Sequence, residues 1–546
     1  MAHCTGRTPN RAQSAPGAAP CAAASNTPCA PLALLLLPAL LGACAGSSPR
    51  APSSHTPDTG SHTELAPLRR QDALWLERVT FGLDETLVRD YQRLGRERFL
   101  ASQLEPQDRA LPAPIAARIA RLEAARPDPG QAIAEVRAER KTFRELTDDA
   151  TREEARKKLN EHGNQLAYDA VRLELLRAVY SPAQLEEQMV WFWLNHFSVH
   201  QNKAEVRWLL ADYEERAIRP HALGHFRDLV LATLEHPAML EYLDNAQNAA
   251  GHVNENYARE LMELHTLGVH AGYTQQDVQA LARVLTGVGI AGPNPPRLRP
   301  ELQALYRREG AFEFNPARHD AGPKILLGHP IRGRGFAEVE DAVDLIVHQS
   351  ACARFISTEL ATYFVADEPP PALVEHMAQT FQRTDGDLRA VLRTMFLAPE
   401  LDGLLGGKFK DPMRFVVSAV RLAYDGRPIS NARPLLQWLN GLGEAPFGRA
   451  TPDGYSLVES AWSSSGQMSR RFEIARLIGS GSAGLFNSED GERATAAIGF
   501  PQLSNRLYFA AVEPFLARST RSTLDAATSP QEWNTFLLAS PEFNYE

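Results

Sequence analysis

The sequence predicts a mainly α-helical protein: a large multi-helix domain with a small β-hairpin, divided into two lobes or drawn out as a helical array. Three observations carry this. From about Leu68 onward apolar residues recur with the 3.6-residue period of a helix, while strand-like alternation is scarce. The 36 Gly and 38 Pro are spread between those stretches as punctuation. The chain has 546 residues, and a single core stops growing near about 250–300 residues. A hydrophobic share of 44% excludes a disordered or collagen-like chain. The formal charge of −9 argues against nucleic acid as a partner, which needs a basic face.

Residues 1–43 read as a signal peptide of the lipoprotein type. Arg7 and Arg11 are its only charged residues, and Leu32 to Leu41 form an apolar run. That run is too short for a membrane span, which takes about 20 residues. It leads into Leu41-Gly42-Ala43-Cys44, which resembles a bacterial lipobox and predicts lipidation of Cys44. A plain secretory signal is the alternative, and the arginines lie unusually far upstream of the apolar run. Ala45 after the cysteine predicts an outer-membrane anchor facing the periplasm, so the expected location is the cell envelope. Cys4, Cys21 and Cys29 would leave with the signal, and only Cys352 would remain beside the lipidated Cys44. That rules out an intrachain disulfide and cysteine-based metal sites. Residues 44–66 have the Ala, Gly, Ser and Pro content of a flexible linker.

Residues 67–546 form the predicted helical domain. A densely charged segment at about 116–178 carries opposite charges at i, i+4 and predicts a solvated helical hairpin. Ser181-Pro182-Ala183-Gln184 predicts a helix start with a capping box, and Thr274-Gln275-Gln276-Asp277 repeats the device. On the first of these helices Leu185, Met189, Phe192 and His196 share one stripe, so His196 points into the apolar face with Asn195 about a quarter-turn away. A second helix is expected from Asn254, its cap, to Gly268, its stop. Asn256, Glu260 and Glu263 run along one flank of its core stripe and His265 along the other. Arg259 reaches Glu255 and Glu263. Phe312-Glu313-Phe314 and Lys324 to Leu327 predict the β-hairpin, whose loop presents His319, Asp320 and Lys324.

Taken together, Trp193-Leu194-Asn195-His196-Phe197, Arg219 to Gly224, His236 to Leu240, Tyr242 to Asn245, Asn254 to Gly268, Gly272 to Gly287, His319 to Lys324, Lys408 to Pro412 and Thr451-Pro452-Asp453-Gly454-Tyr455 resemble the bacterial DUF1800 family in its own order. The similarity runs from about Ala73 to near Glu546. It implies an exported protein with no established reaction, and a protein of the exported DUF1501 family as the expected partner.

The chemistry must therefore be read from the residues. No His-Glu-x-x-His helix, nucleophile elbow or phosphate-binding Gly-rich turn is present. Eight histidines lie between His196 and His270. His196/His200 and His221/His225 have the i, i+4 spacing that can chelate a metal, although His200 falls beyond the expected helix end. The expectation is a polar pocket walled by the Asn195-His196 helix, the Glu260-Glu263 helix and the His319-Asp320 loop. His196, Glu260, Glu263, His319 and Asp320 are its candidate catalytic residues. Asn195, Asn254, Asn256, Arg259, His265 and Lys324 are its binding residues. A divalent metal ion held by His196, Glu260 and Glu263 is the candidate cofactor. Two functions stay open: a metal-assisted or acid–base enzyme of the envelope, and a non-catalytic assembly or binding protein whose buried polar residues only fix helix packing.

Overall fold

Local capping chemistry decides where several elements begin. Asp148 accepts the Thr151 backbone N–H at 2.7 Å and starts the Asp149–Tyr180 helix. Thr274 and Asp277 form the expected reciprocal capping box, at 3.3 and 2.8 Å, ahead of Gln275–Val284. The computed structural model describes residues 65–546 apart from 126–128, 333 and 490–498. The expected signal peptide, Cys44 and the expected linker up to residue 64 lie outside the described residues. Leu65, given to the linker by the sequence, is already buried in the core.

The structure is 60% helical against 4% strand, which fixes the class as mainly α. The two lobes are not formed. Glu64 to Glu546 make one unit, and nearly all its buried apolar side chains join a single core from Leu65 to Phe543. The reason lies in the Asp149–Tyr180 helix, which packs against both Gln184–His196 and Pro412–Tyr424 and so ties distant parts of the chain together.

The charged segment folds as the expected hairpin, from Pro129–Glu145 and Asp149–Tyr180. Its outer face carries exposed pairs such as Lys158–Glu154 at 2.8 Å. Val136, Leu159, Leu166 and Trp208 form a small satellite core beneath it. From Leu166 to Tyr180, however, every residue but Arg177 is buried. The solvated segment therefore ends near residue 165 and not at 178.

The Ser181 capping box is not formed. The helix runs Gln184–His196 with Ala183 at its cap position and no side-chain cap. Gln184 is wholly buried, and its Oε1 accepts the Phe81 N–H at 3.1 Å while its Nε2 donates to the carbonyls of Ala178 and Ser181. It spends its amide on tertiary contacts instead of closing the box.

The expected hairpin between Phe312–Phe314 and Lys324–Leu327 is also replaced. Among the described residues five short strands form two antiparallel sheets. The first has the order β1 (Val288–Ile290), β3 (Phe312–Phe314), β2 (Arg307–Glu309), and the second pairs β4 (Lys324–Leu326) with β5 (His329–Ile331). Each strand of the expected hairpin found a nearer partner. Leu327 and Gly328, both at positive φ, close β4 onto β5 through a two-residue turn.

Candidate functional site

Every residue of the Gln184–His196 helix except Asn195 is buried. The helix ends at His196, so His200 lies outside it. Asn195 clamps the loop after Pro452: its Nδ2 donates to the Tyr455 carbonyl at 3.0 Å and its Oδ1 accepts the Tyr455 N–H at 2.6 Å. Gly454, at φ +68°, lets the two segments touch, because a Cβ there would sit 2.4 Å from the Asn195 carbonyl oxygen. Lys408 holds the same loop further on by donating to the Leu457 carbonyl and to Asp367.

His196 is 9% exposed, as its helical phase required. Its Nε2 lies 3.0 Å from the His265 carbonyl oxygen. A carbonyl only accepts, so Nε2 carries the proton and Nδ1 the lone pair. Nδ1 makes no hydrogen bond with any described residue. Burial pushes the imidazole down to about 4, with the His265 carbonyl opposing, so the ring is neutral at physiological pH.

The segment from Asn254 to Gly268 is not one regular helix. Asn254 accepts the Asn256 N–H at 2.9 Å, the α-helix runs Asn256–Glu260, and Leu261–Thr266 is a π-helix. Its wider turn is set by Leu267 N–H to Met262 O at 2.9 Å and by the Thr266 hydroxyl donating to Leu261 O at 2.6 Å. Gly268 ends it at φ +82°. The change of period corrects the expected place of His265. It is not on a flank but fully buried, with neither ring nitrogen hydrogen-bonded, and burial holds it well below the ordinary imidazole range. Arg259 bridges Glu255 and Glu263, at 3.3 Å each, as its spacing implied. Asn256 donates to the Leu243 carbonyl at 3.1 Å.

His196 and Glu263 both line a cavity of about 220 Å³. Phe192 and Asn195 complete the first wall. The Ser350–Phe364 helix adds Phe355 and Glu359, and the loop adds Pro452, Asp453, Tyr455 and Leu457. Glu260 lies beside this wall: burial, and then the charge of Glu263, raises its carboxyl. Glu359 forms no hydrogen bond or ion pair with a described residue, and burial alone pushes its carboxyl up to about 7. For Asp453 burial works in the same direction. Hydrogen bonds from Arg449, at 2.7 and 3.1 Å, and from Thr451 outweigh it and hold that carboxyl below its ordinary value.

Three expectations need correction here. The His319-Asp320 loop contributes no residue to this cavity. His319 bonds through Nδ1 to the Thr286 carbonyl at 2.7 Å and through Nε2 to Glu338 at 3.1 Å. Lys324 reaches Glu338 at 2.6 Å, and Asp320 is paired with Arg283 at 2.7 Å. This is a closed packing network, with Lys324 and Glu338 wholly buried. Second, the metal set His196, Glu260 and Glu263 is not assembled. Among the described residues no group of three or more His, Cys, Asp or Glu is placed so that it could hold a metal ion. His196 has given Nε2 to a carbonyl, and Glu263 is paired with Arg259. Third, His221 and His225 do not chelate together. The His225 ring bonds the Asp385 carbonyl at 2.9 Å, while His221 borders a different cleft, near His236 and Asp212.

Sequence reasoning missed Glu359, Asp453 and Tyr455. Glu359 was detectable as a lone carboxyl at i+4 from Phe355 in an otherwise apolar stripe. Asp453 and Tyr455 belonged to a recognised motif whose partner, Asn195, only the fold reveals.

A family model described as "Protein of unknown function (DUF1800)" matches residues 74–545. The chain belongs to the DUF1800 family. No curated protein and no solved structure matches it.

Proposed function

We propose that this DUF1800 protein is an acid–base enzyme of the bacterial cell envelope, with Glu359 as the group that moves the proton. One observation carries the reading: a carboxyl in the wall of a cavity, without ionic or hydrogen-bonding partner among the described residues, is poised near neutrality by burial. A general acid or base is most effective when its pKa lies near the working pH. Asp453, across the same cavity, stays ionised, so one site holds two carboxyls with different protonation. Neutral His196 offers a fixed acceptor beside them.

The envelope location rests on Leu41-Gly42-Ala43-Cys44, with lipidation at Cys44 and an outer-membrane anchor facing the periplasm. A DUF1501-family partner rests on the family resemblance. A second reading, a non-catalytic assembly protein, is favoured by Asn195, His319, Asp320 and Lys324, whose polar groups are engaged in packing. It gives no account of Glu359.

The test compares wild type with Glu359→Gln on bacterial envelope extracts, followed by mass spectrometry of small molecules. Products formed by wild type and absent with the variant support the enzyme. Identical profiles from the two folded proteins overturn it in favour of the assembly reading.

A further inference from the structure

We propose that the Glu359 cavity receives the protonated amino group of a primary amine, with Glu359 and Nδ1 of His196 accepting its N–H bonds. The inference rests on the acid–base reading and names the substrate class. The cavity wall holds three carboxylates, Glu263, Glu359 and Asp453, and no Lys or Arg. Two of the three are already balanced, Glu263 by Arg259 at 3.3 Å and Asp453 by Arg449 at 2.7 Å. Glu359 is not.

Independently of the carboxylates, His196 points to the same ligand. Its side chain is nine-tenths buried, Nε2 is spent on the His265 carbonyl, and Nδ1 makes no hydrogen bond with a described residue. The two groups without partners are thus both acceptors, and the missing complement is a donor with positive charge. An anion would meet three carboxylates and no cationic side chain in the wall. A neutral apolar ligand would leave Glu359 and Nδ1 desolvated and unpaired. A quaternary ammonium has no N–H to give either acceptor. Phe192 and Phe355 flank the imidazole, with ring centroids 6.0 and 6.1 Å from it, and aromatic faces favour a cation. The cavity of about 220 Å³ leaves room for a short carbon chain behind the nitrogen.

The chemical consequence is a proton transfer. The N–H bond of the bound ammonium breaks, the proton passes to a carboxylate oxygen of Glu359, and the nitrogen keeps the electron pair as a free amine. A carboxyl poised near neutrality takes that proton more readily than an ordinary one.

The probe is n-butylammonium, titrated calorimetrically into the purified full chain, with n-butanol and tetramethylammonium as comparisons. The expected result is binding of n-butylammonium at least about tenfold tighter than either comparison, with a loss of about tenfold or more in Glu359→Gln. In wild type the affinity should fall by up to about tenfold per pH unit once Glu359 is protonated, a readout that needs no variant. Equal binding of n-butanol, or of n-butylammonium by Glu359→Gln, overturns the inference. Carbon-13 NMR of labelled Glu separates the two levels. A Glu359 signal that titrates near neutrality without ammonium binding overturns this inference alone. One that titrates in the ordinary carboxylate range overturns the acid–base reading as well.

Discussion

Asn195 and Tyr455, 260 positions apart, hold each other through two hydrogen bonds between one side-chain amide and the backbone N–H and carbonyl of one residue. The amide satisfies both the N–H and the carbonyl of Tyr455, as a neighbouring strand would. The contact joins two sequence motifs, Trp193-Leu194-Asn195-His196-Phe197 and Thr451-Pro452-Asp453-Gly454-Tyr455. It turns the loop into the wall that brings Asp453 opposite His196 and Glu359.

Removing the clamp should be costly. Asn195→Ala leaves both peptide groups of Tyr455 without their partner and should lower stability by about 1–3 kcal/mol. Gly454→Ala should cost at least as much, since it combines a positive φ with a Cβ 2.4 Å from a backbone oxygen. Urea unfolding of the two variants checks both. A change below the error of that measurement in Asn195→Ala would show that the loop is held without the clamp.

The His319 network should behave as structure. Lys324→Met removes the cation from wholly buried Glu338 and leaves it to His319, a change expected to cost about 3–5 kcal/mol. Burial raises the Glu338 carboxyl, but hydrogen bonds from His319 and Lys324 outweigh it and hold the group below its ordinary value. Its stabilisation is therefore present above the unfolded-state pKa and lost as pH falls through the lowered folded value. Chemical denaturation of wild type and Lys324→Met across the acid range should converge at low pH. Curves that stay parallel down to the acid limit would remove Glu338 from the account.

Lipidation has a direct test. Wild type should take up a labelled fatty acid and fractionate with the outer membrane. Cys44→Ser should do neither. Label retained by the variant places any acyl group elsewhere.

The helical class, the buried phase of His196, the Thr274 box and the Arg259 bridges were legible because each depends on local spacing. What was not legible depends on departures from that spacing or on distant partners. The π-turn at Leu261–Thr266 breaks the 3.6 period that placed His265 on a flank. Gln184 has the right residue type for a capping box, yet its buried amide is taken up by the distant Phe81 N–H and the Ser181 carbonyl. Phe312–Phe314 and Lys324–Leu327 looked like one hairpin until shorter turns gave each strand a nearer partner. The cavity combines helix 184–196, the π-segment, helix 350–364 and a loop near 455, a convergence that no local pattern encodes.

The last prediction concerns buried charge away from the cavity. Arg219 faces four carboxylates: Glu214 at 2.6 Å, Glu187 at 2.7 Å, Glu215 at 3.0 Å and Glu174 at 3.7 Å. The other guanidinium at hand, Arg177, pairs with Glu215 at 2.8 Å. The acidic side is in excess, and Glu174 is wholly buried beside Glu214. Burial first, and then the charge of Glu214, raises its carboxyl well above the ordinary value, with Arg219 opposing. The folded protein thus holds a proton there that the unfolded chain releases. Stability from this group is fully present below the unfolded-state pKa and declines as pH rises toward the raised folded value. Glu174→Gln keeps the shape and removes the need for that proton. The variant should match wild type in mild acid and exceed it at alkaline pH by about 1–3 kcal/mol, with a flatter profile. Urea midpoints from pH 5 to 9 decide the matter, and parallel profiles for the two proteins would show that Glu174 is ionised in the folded state.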